Sequence, residues 1–293
     1  MAVRVISGVA VAVLAFVFCF LGAPILNIGL GIISIIGYLE VTKALGLRES
    51  NKRILGLEVI GAIFTVGLYS ASLFFRPSTG TLLMFLLFAL LCMMFLYVVK
   101  FPEYHIKQVI GAFFAFAYCP ALLYFMLLIR IQGVENIGFA DLQLIPSYSE
   151  GFAYIWMVFA IAWGTDTCAY FAGVLFGKHK LFPVLSPKKT IEGCIGGVLG
   201  TGFFTILHVI LFAGHIDYTP FGKILFVAIG MIGSVIGQIG DLAASGIKRN
   251  YGIKDYGNLI PGHGGVMDRF DSIVAISLFI YFFMTQPFIS IHL

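Results

Sequence analysis

Polar and apolar positions along this chain are gathered into long blocks rather than alternated. Apolar runs of roughly 18 residues or more, the length that crosses ~30 Å of hydrocarbon at ~1.5 Å per residue, recur nine times. They fall at approximately residues 3–21, 25–46, 56–75, 79–99, 106–129, 151–176, 191–213, 221–247 and 272–291. Continuous runs predict transmembrane α-helices, because a membrane barrel would show as ~10-residue segments of alternating hydropathy. The expected fold is therefore all-α, a polytopic integral membrane protein of about nine helices. No internal repeat interrupts it, so a single integral domain over 1–293 is expected, with N-terminal helices in 1–150 and the polar loops concentrated in 151–293.

Composition agrees with that pattern. With 60% hydrophobic residues, 11% charged residues and a mean hydropathy of +1.02, the chain lacks the polar surface of a water-soluble domain. Arg4 ahead of the first apolar run would suit a signal peptide. That run exceeds a usual signal core, however, and a second begins directly after Pro24, so a retained helical hairpin is expected. The five cysteines (Cys19, Cys92, Cys119, Cys168, Cys194) show no C-x-x-C spacing and read as small buried hydrophobes.

The formal charge of +4 carries no partner information in a membrane protein, because Lys and Arg collect in cytoplasmic loops for topological reasons. Their distribution is informative. With nine spans and a cytoplasmic N-terminus, one face receives fifteen basic residues: Arg4, Lys43, Arg48, Lys52, Arg53, Lys100, Lys107, Lys178, Lys180, Lys188, Lys189, Lys248, Arg249, Lys254 and Arg269. The other face receives three, Arg76, Arg130 and Lys223, beside an acidic linker with Glu135, Asp141 and Glu150. Both long polar segments, 177–190 and 248–271, then face the cytoplasm, where nucleotides are available.

The eighth run carries Gly230, Gly233, Gly237 and Gly240 at spacings that let another helix approach closely, a packing signal for most of them. Asp241 differs. It shares a helical face with Gly237, Ser245 and Lys248 or Arg249, and a carboxylate near a membrane boundary is costly unless paired or metal-bound. A structural salt bridge to Lys248 is the plainer alternative.

Beyond that helix come Lys248, Arg249, Lys254 and Asp255, then P-G-H-G-G (Pro261 to Gly265) and Met267, Asp268, Arg269 and Asp271. Closely spaced glycines (Gly262, Gly264, Gly265) let backbone amides crowd a phosphate ahead of a helix N-terminus. Taken alone such a turn is weak, but here Asp241 and Asp268 bracket it. Carboxylates are hard oxygen ligands suited to Mg²⁺, and the surrounding cations with His263 suit phosphates bridged by that metal.

The other polar segment supplies Ser186, Lys188, Lys189 and Thr190 directly before a helix, a second surface suited to a triphosphate. Lys178, His179 and Lys180 read equally as positive-inside residues. Asp166, in A-W-G-T-D-T-C-A-Y, is buried by sequence context and is either a site residue or a structural acid. Glu40 and His208 receive no chemical role.

At this point a family resemblance is specific. The run from Ser245 to Asp271, S-G-I-K-R-N-Y-G-I-K-D-Y-G-N-L-I-P-G-H-G-G-V-M-D-R-F-D, resembles the signature of the phosphatidate cytidylyltransferase (CDP-diacylglycerol synthase) family. Upstream, D-T-C-A-Y-F-A-G-V-L-F-G-K-H-K from Asp166 and S-P-K-K-T-I-E-G from Ser186 resemble its other segments, in order. One departure is Ala244, where the family commonly has an acid.

The resemblance implies CTP plus phosphatidate giving CDP-diacylglycerol plus pyrophosphate. The phosphatidate phosphate attacks the α-phosphorus of CTP, with Asp241 and Asp268 as metal ligands. Mg²⁺ is the implied cofactor, with a second divalent or monovalent cation as an option. Lys248, Arg249 and His263 would act at the reacting phosphates. Substrate contacts would come from Asp166, Ser186, Lys188, Lys189, Thr190, Ser245, Lys254, Asp255, Gly262, Gly264, Gly265, Arg269 and Asp271. A homodimer in the cell membrane is expected and no nucleic-acid partner. The rivals are a cation-coupled transporter using Asp166 and Asp241 and a CTP-dependent lipid or polyprenol kinase.

Overall fold

The structure is a computed structural model that describes residues 13–47, 55–132, 149–213, 219–262 and 264–285. Its helices are α1 (described over 13–20), α2 (Ala23–Ala44), α3 (Gly56–Phe74), α4 (Thr79–Val99), α5 (Ile106–Phe116), α6 (Leu122–Arg130), α7 (Glu150–Phe176), α8 (Ile191–Leu211), α9 (Pro220–Asn250) and α10 (Met267–Met284). A π-turn at Ala117–Ala121 joins α5 to α6 around Pro120, whose missing N–H interrupts the α ladder. Pro24 opens α2, where a missing amide costs nothing, and the Ser78 hydroxyl caps α4 by accepting the Thr81 amide.

Among the described residues seven helices are long and apolar enough to cross a membrane, with α5 to α6 counted as one. The protein is thus a multi-pass membrane protein. Of the nine expected spans, the first is described only from residue 13, and α10 misses the criterion because its 18 described residues include Asp268, Arg269 and Asp271. Arg4, Arg48, Lys52, Arg53, Glu135 and Asp141, on which part of the orientation argument rests, lie outside the described residues. The all-α expectation holds apart from one addition in the 177–190 segment. There β1 (Lys180–Phe182) and β2 (Ser186–Thr190) pair antiparallel, with Lys180 opposite Thr190 and Phe182 opposite Ser186.

The chain packs as two compact units. The first holds α1 to α5, the π-turn and most of α6 together with the Asn250–Arg269 stretch; the second holds α7, the hairpin, α8, α9 up to Arg249, and α10 from Phe270.

In the first unit Leu47, Leu55, Leu57, Met93, Val109 and Ala112 form a buried cluster. Several buried polar groups of this unit are paired, which lowers the cost of an apolar setting. The fully buried Glu58 accepts the Thr42 hydroxyl (2.7 Å) and the Leu55 amide (3.0 Å). Tyr69 receives the Ser34 hydroxyl (2.8 Å) and donates to the Pro120 carbonyl (3.1 Å), tying α2, α3 and the π-turn together.

In the second unit small residues set the helix spacing. A Cβ on Gly197 of α8 would stand 3.2 Å from that of Ala169 on α7, and one on Gly237 of α9 would stand 2.7 Å from Ile276 Cδ1 on α10. The packing reading of the glycine stripe therefore accounts for Gly237, and for Gly240, which abuts Ala275 and the Asp271 carbonyl. The hydroxyls of Thr165 and Thr201 lie 2.9 Å apart, and Thr165 donates to Ser234 (2.8 Å), joining α7, α8 and α9.

His208 is buried between Phe212 and Phe226 with Nε2 2.8 Å from the Ala153 carbonyl, a packing histidine. Arg130, counted from sequence as an outside-loop cation, is instead fully buried. Its guanidinium covers the Phe152 ring and donates to Ser149 Oγ (3.3 Å), so it does not report on topology. Cys19 and Cys119 are buried as expected, but Cys92 is exposed; all five cysteines are free.

Candidate functional site

In the second unit the C-terminal end of α7, the N-terminal end of α8, the hairpin and α9 enclose a pocket of about 360 Å³. Its polar wall is Asp166, Lys188, Lys189, Thr190 and Gln238. Local chemistry fixes the hairpin that presents the lysines. The Thr190 hydroxyl accepts the Gly193 amide (3.1 Å) and caps α8. Glu192, in the first turn of α8 where a carboxylate is favoured, accepts the amides of Lys178 (3.1 Å) and His179 (3.2 Å) and meets His179 Nδ1 at 2.6 Å. Glu192 stood in the quoted S-P-K-K-T-I-E-G segment without a role; the structure makes it the clamp at the base of the hairpin.

Lys189 reaches across to α9, where Nζ lies 2.6 Å from Asp241 Oδ2. The structural alternative for Asp241, a salt bridge to Lys248, is not the pairing seen: its ion-pair partner is Lys189. Because α9 continues to Asn250, Lys248 and Arg249 are helical residues rather than loop residues, with Lys248 buried and Arg249 exposed. Asp166, expected to be buried, is exposed. Thr165 takes the packed side of α7, and the next residue, turned by about 100° around the helix, faces the pocket.

Asp271, one residue ahead of the apolar part of α10, is half-buried. Burial pushes its carboxyl above the usual range, the charge of Asp241 adds to this, and Lys248 opposes it. Ser186 and Ser245 are half-buried, on β2 and α9.

In the first unit the loop after α9 is shaped by glycines with left-handed backbone: Gly252 (φ 65°), Gly262 (φ 76°) and Gly264 (φ 84°), with a bridge between Ile260 and Gly264. Asp268 Oδ2 accepts the amides of Tyr256 (2.8 Å) and Gly265 (2.9 Å). Glu40, reaching from α2, accepts those of Val266 (3.1 Å) and Met267 (2.9 Å). The glycine turn was expected to offer its amides to a phosphate; the anions that the Gly265, Val266 and Met267 amides hold are the protein's own carboxylates. Glu40, set aside from sequence, is thus a cap for the α10 N-terminus supplied by another helix. Lys254, Asp255, Gly262 and Arg269 are exposed, Gly264 is half-buried and Gly265 buried. His263 lies outside the described residues.

The donor set can be tested against the expected metal. Among the described residues no three His, Cys, Asp or Glu side chains converge as a cage. Mg²⁺ does not need one: it binds through one or two carboxylates and completes its shell with water and substrate phosphates. Asp166 on the pocket wall, and Asp241 beside Lys189, offer carboxylate oxygens of that kind.

The model of the cytidylyltransferase family matches residues 2–286. Proteins named phosphatidate cytidylyltransferase are similar to the chain over 146 residues, 50% of its length. They include one from Staphylococcus saprophyticus at 41% identity and one from Staphylococcus haemolyticus at 43%, each covered over 54%. The chain spans about half the length of the curated relatives it matches. Since the family model extends over nearly every residue from the first helices to α10, the chain belongs to the cytidylyltransferase family.

Proposed function

We propose that the chain is a CTP:phosphatidate cytidylyltransferase, forming CDP-diacylglycerol and pyrophosphate for phospholipid biosynthesis at the cytoplasmic face of the cell membrane. The observation that carries this reading is the pocket at the ends of α7, α8 and α9, where Lys188 and Lys189 share the wall with Asp166 and Lys189 pairs with Asp241. Cations for phosphates and carboxylates for a metal meet there at the end of helices long and apolar enough to cross a bilayer. Membership of the cytidylyltransferase family, and the phosphatidate cytidylyltransferases among the chain's relatives, support the same reaction.

In this proposal Lys188 and Lys189 hold CTP phosphates, with Lys248, Arg249, Lys254 and Arg269 as further phosphate contacts. Ser186, Thr190, Ser245, Gly262, Gly264 and Gly265 line the substrates beside Asp166, Asp255 and Asp271. His263 donates to a phosphate oxygen. Asp241 and Asp268 are the carboxylates assigned to Mg²⁺, with a second cation as an option. Asp268 retains capacity for this because a carboxylate offers about four lone-pair sites. When bound, the ion neutralises charge developing on the leaving pyrophosphate. The phosphatidate monoester is already anionic at neutral pH, so its oxygen attacks without a general base. Nine spans with a cytoplasmic N-terminus, and a homodimer without nucleic acid, complete the proposal.

The test is to incubate purified protein with labelled CTP, phosphatidate and Mg²⁺ and to identify the lipid product, with chelator as control. CDP-diacylglycerol with pyrophosphate is expected. CDP with a phosphorylated lipid would mark a kinase, and absence of CTP turnover would leave the transporter reading.

A further inference from the structure

The polar pocket has an apolar neighbour in the same unit. A groove of about 380 Å³ runs under the hairpin between α8 and α9, walled by Phe182, Val198, Leu199, Val235 and Ile239. Cys194 and Gln238 line both cavities. Gln238 Nε2 donates to the Cys194 carbonyl (3.3 Å), so a hydrogen-bonded pair of residues is common to the walls of the two cavities. On one side of it stand Lys188 and Lys189; on the other the walls are hydrocarbon.

We propose that the groove seats the glycerol-proximal stretch of one acyl chain of the lipid substrate, with its phosphate in the polar pocket and Gln238 at the turn between them. This rests on the reading given under Proposed function. The match is one of charge and hydropathy: an anionic phosphate joined to a hydrocarbon chain needs cations and an apolar channel meeting at a single boundary. Bulk lipid could cover an exposed helix face anywhere, but a channel sharing its wall with a lysine-lined pocket selects a lipid whose headgroup is anionic and small. From Val235 to Leu242 α9 rises only about 10 Å, so the groove grips the first part of the chain and leaves the rest to the bilayer. Selectivity therefore falls on bulk or branching near the ester rather than on total chain length.

The test uses the full chain in detergent micelles with Val198→Trp and Ile239→Trp, which fill the groove, and Ile239→Ala, which widens it. The Trp variants should raise KM for dioleoyl phosphatidate by about 10-fold, as expected for a misfit in an apolar pocket, and leave KM for CTP and kcat/KM for dibutanoyl phosphatidate unchanged. Ile239→Ala should shift the dioleoyl KM in the same direction by a smaller factor. In parallel, phosphatidate carrying a diazirine near its ester should label groove peptides of the wild type, and phosphatidylcholine carrying the same group should not. Equal labelling by the two lipids, or equal losses with long and short chains, overturns the proposal. Failure of the wild type to convert any phosphatidate rejects the proposed function instead, while the labelling comparison still decides the groove.

Discussion

Lys189 Nζ and Asp241 Oδ2 stand 2.6 Å apart, linking the hairpin before α8 to the last third of α9. Both side chains are about one-quarter exposed, so the pair adds at most ~1 kcal/mol to stability and its interest is chemical. Each is one half of what a metal-bridged phosphate requires.

Asp241→Asn should abolish CTP turnover while the protein still inserts into membranes. Lys189→Met should lower kcat/KM by about 100-fold, the scale of losing one electrostatic contact to a transferring group, and Lys189→Arg should retain part of the activity. The double variant should be no worse than Asp241→Asn alone, as for residues acting as a unit. A labelled-CTP assay on membranes normalised for protein reads all four. Near-normal activity in Asp241→Asn refutes its metal role.

Glu40→Ala should release the amides of Val266 and Met267. Loss of hydrogen bonds to a charged acceptor costs about 1.5–3 kcal/mol, so amide exchange in residues 264–268 should accelerate by roughly 10- to 100-fold. Glu40→Gln should give a milder effect. Unchanged exchange in Glu40→Ala would contradict the capping role.

Asp268→Asn separates two functions of one side chain. An amide oxygen can still accept from Tyr256 and Gly265, so exchange across the loop should stay within about 10-fold of wild type, whereas metal-dependent turnover should vanish. Loosening of the loop in proportion to the loss of activity would leave Asp268 a purely structural residue.

Gly237→Leu should destabilise the second unit by about 1–3 kcal/mol, the cost of overpacking, because Ile276 has no room for it. Thr165→Val, which removes the bond to Ser234, should cost about 0.6 kcal/mol, as for hydrogen bonds between membrane helices. Thermal unfolding in detergent should rank the two in that order.

The helix bodies were legible in the hydropathy because crossing a bilayer imposes length and apolarity on consecutive residues: the runs at 79–99 and 191–213 match α4 and α8 closely. The hairpin was not, since strands of three and five residues are too short for any periodicity to register. Asp166 was misplaced because apolar neighbours in sequence do not make a residue buried when it faces a pocket. Glu40 was passed over because its partners lie 226 and 227 residues away, a separation no local pattern carries. The polar stretch at Ser245–Asp271 stands out by composition alone, but composition does not reveal that Asp268 and Glu40 hold the amides of Gly265, Val266 and Met267.

The bonds from Glu40 to Val266 and Met267 also constrain biogenesis. Glu40 is translated 226 and 227 residues before its partners, so α2 is made long before the amides that its carboxylate receives. Until then a carboxylate sits in α2 without those amides, at a cost of roughly 2.5–3.5 kcal/mol for an acid at the middle of a membrane helix and less near its end. A chain stalled before α10 would carry that defect in α2, a mark by which quality control could tell a chain lacking α10 from one that has it.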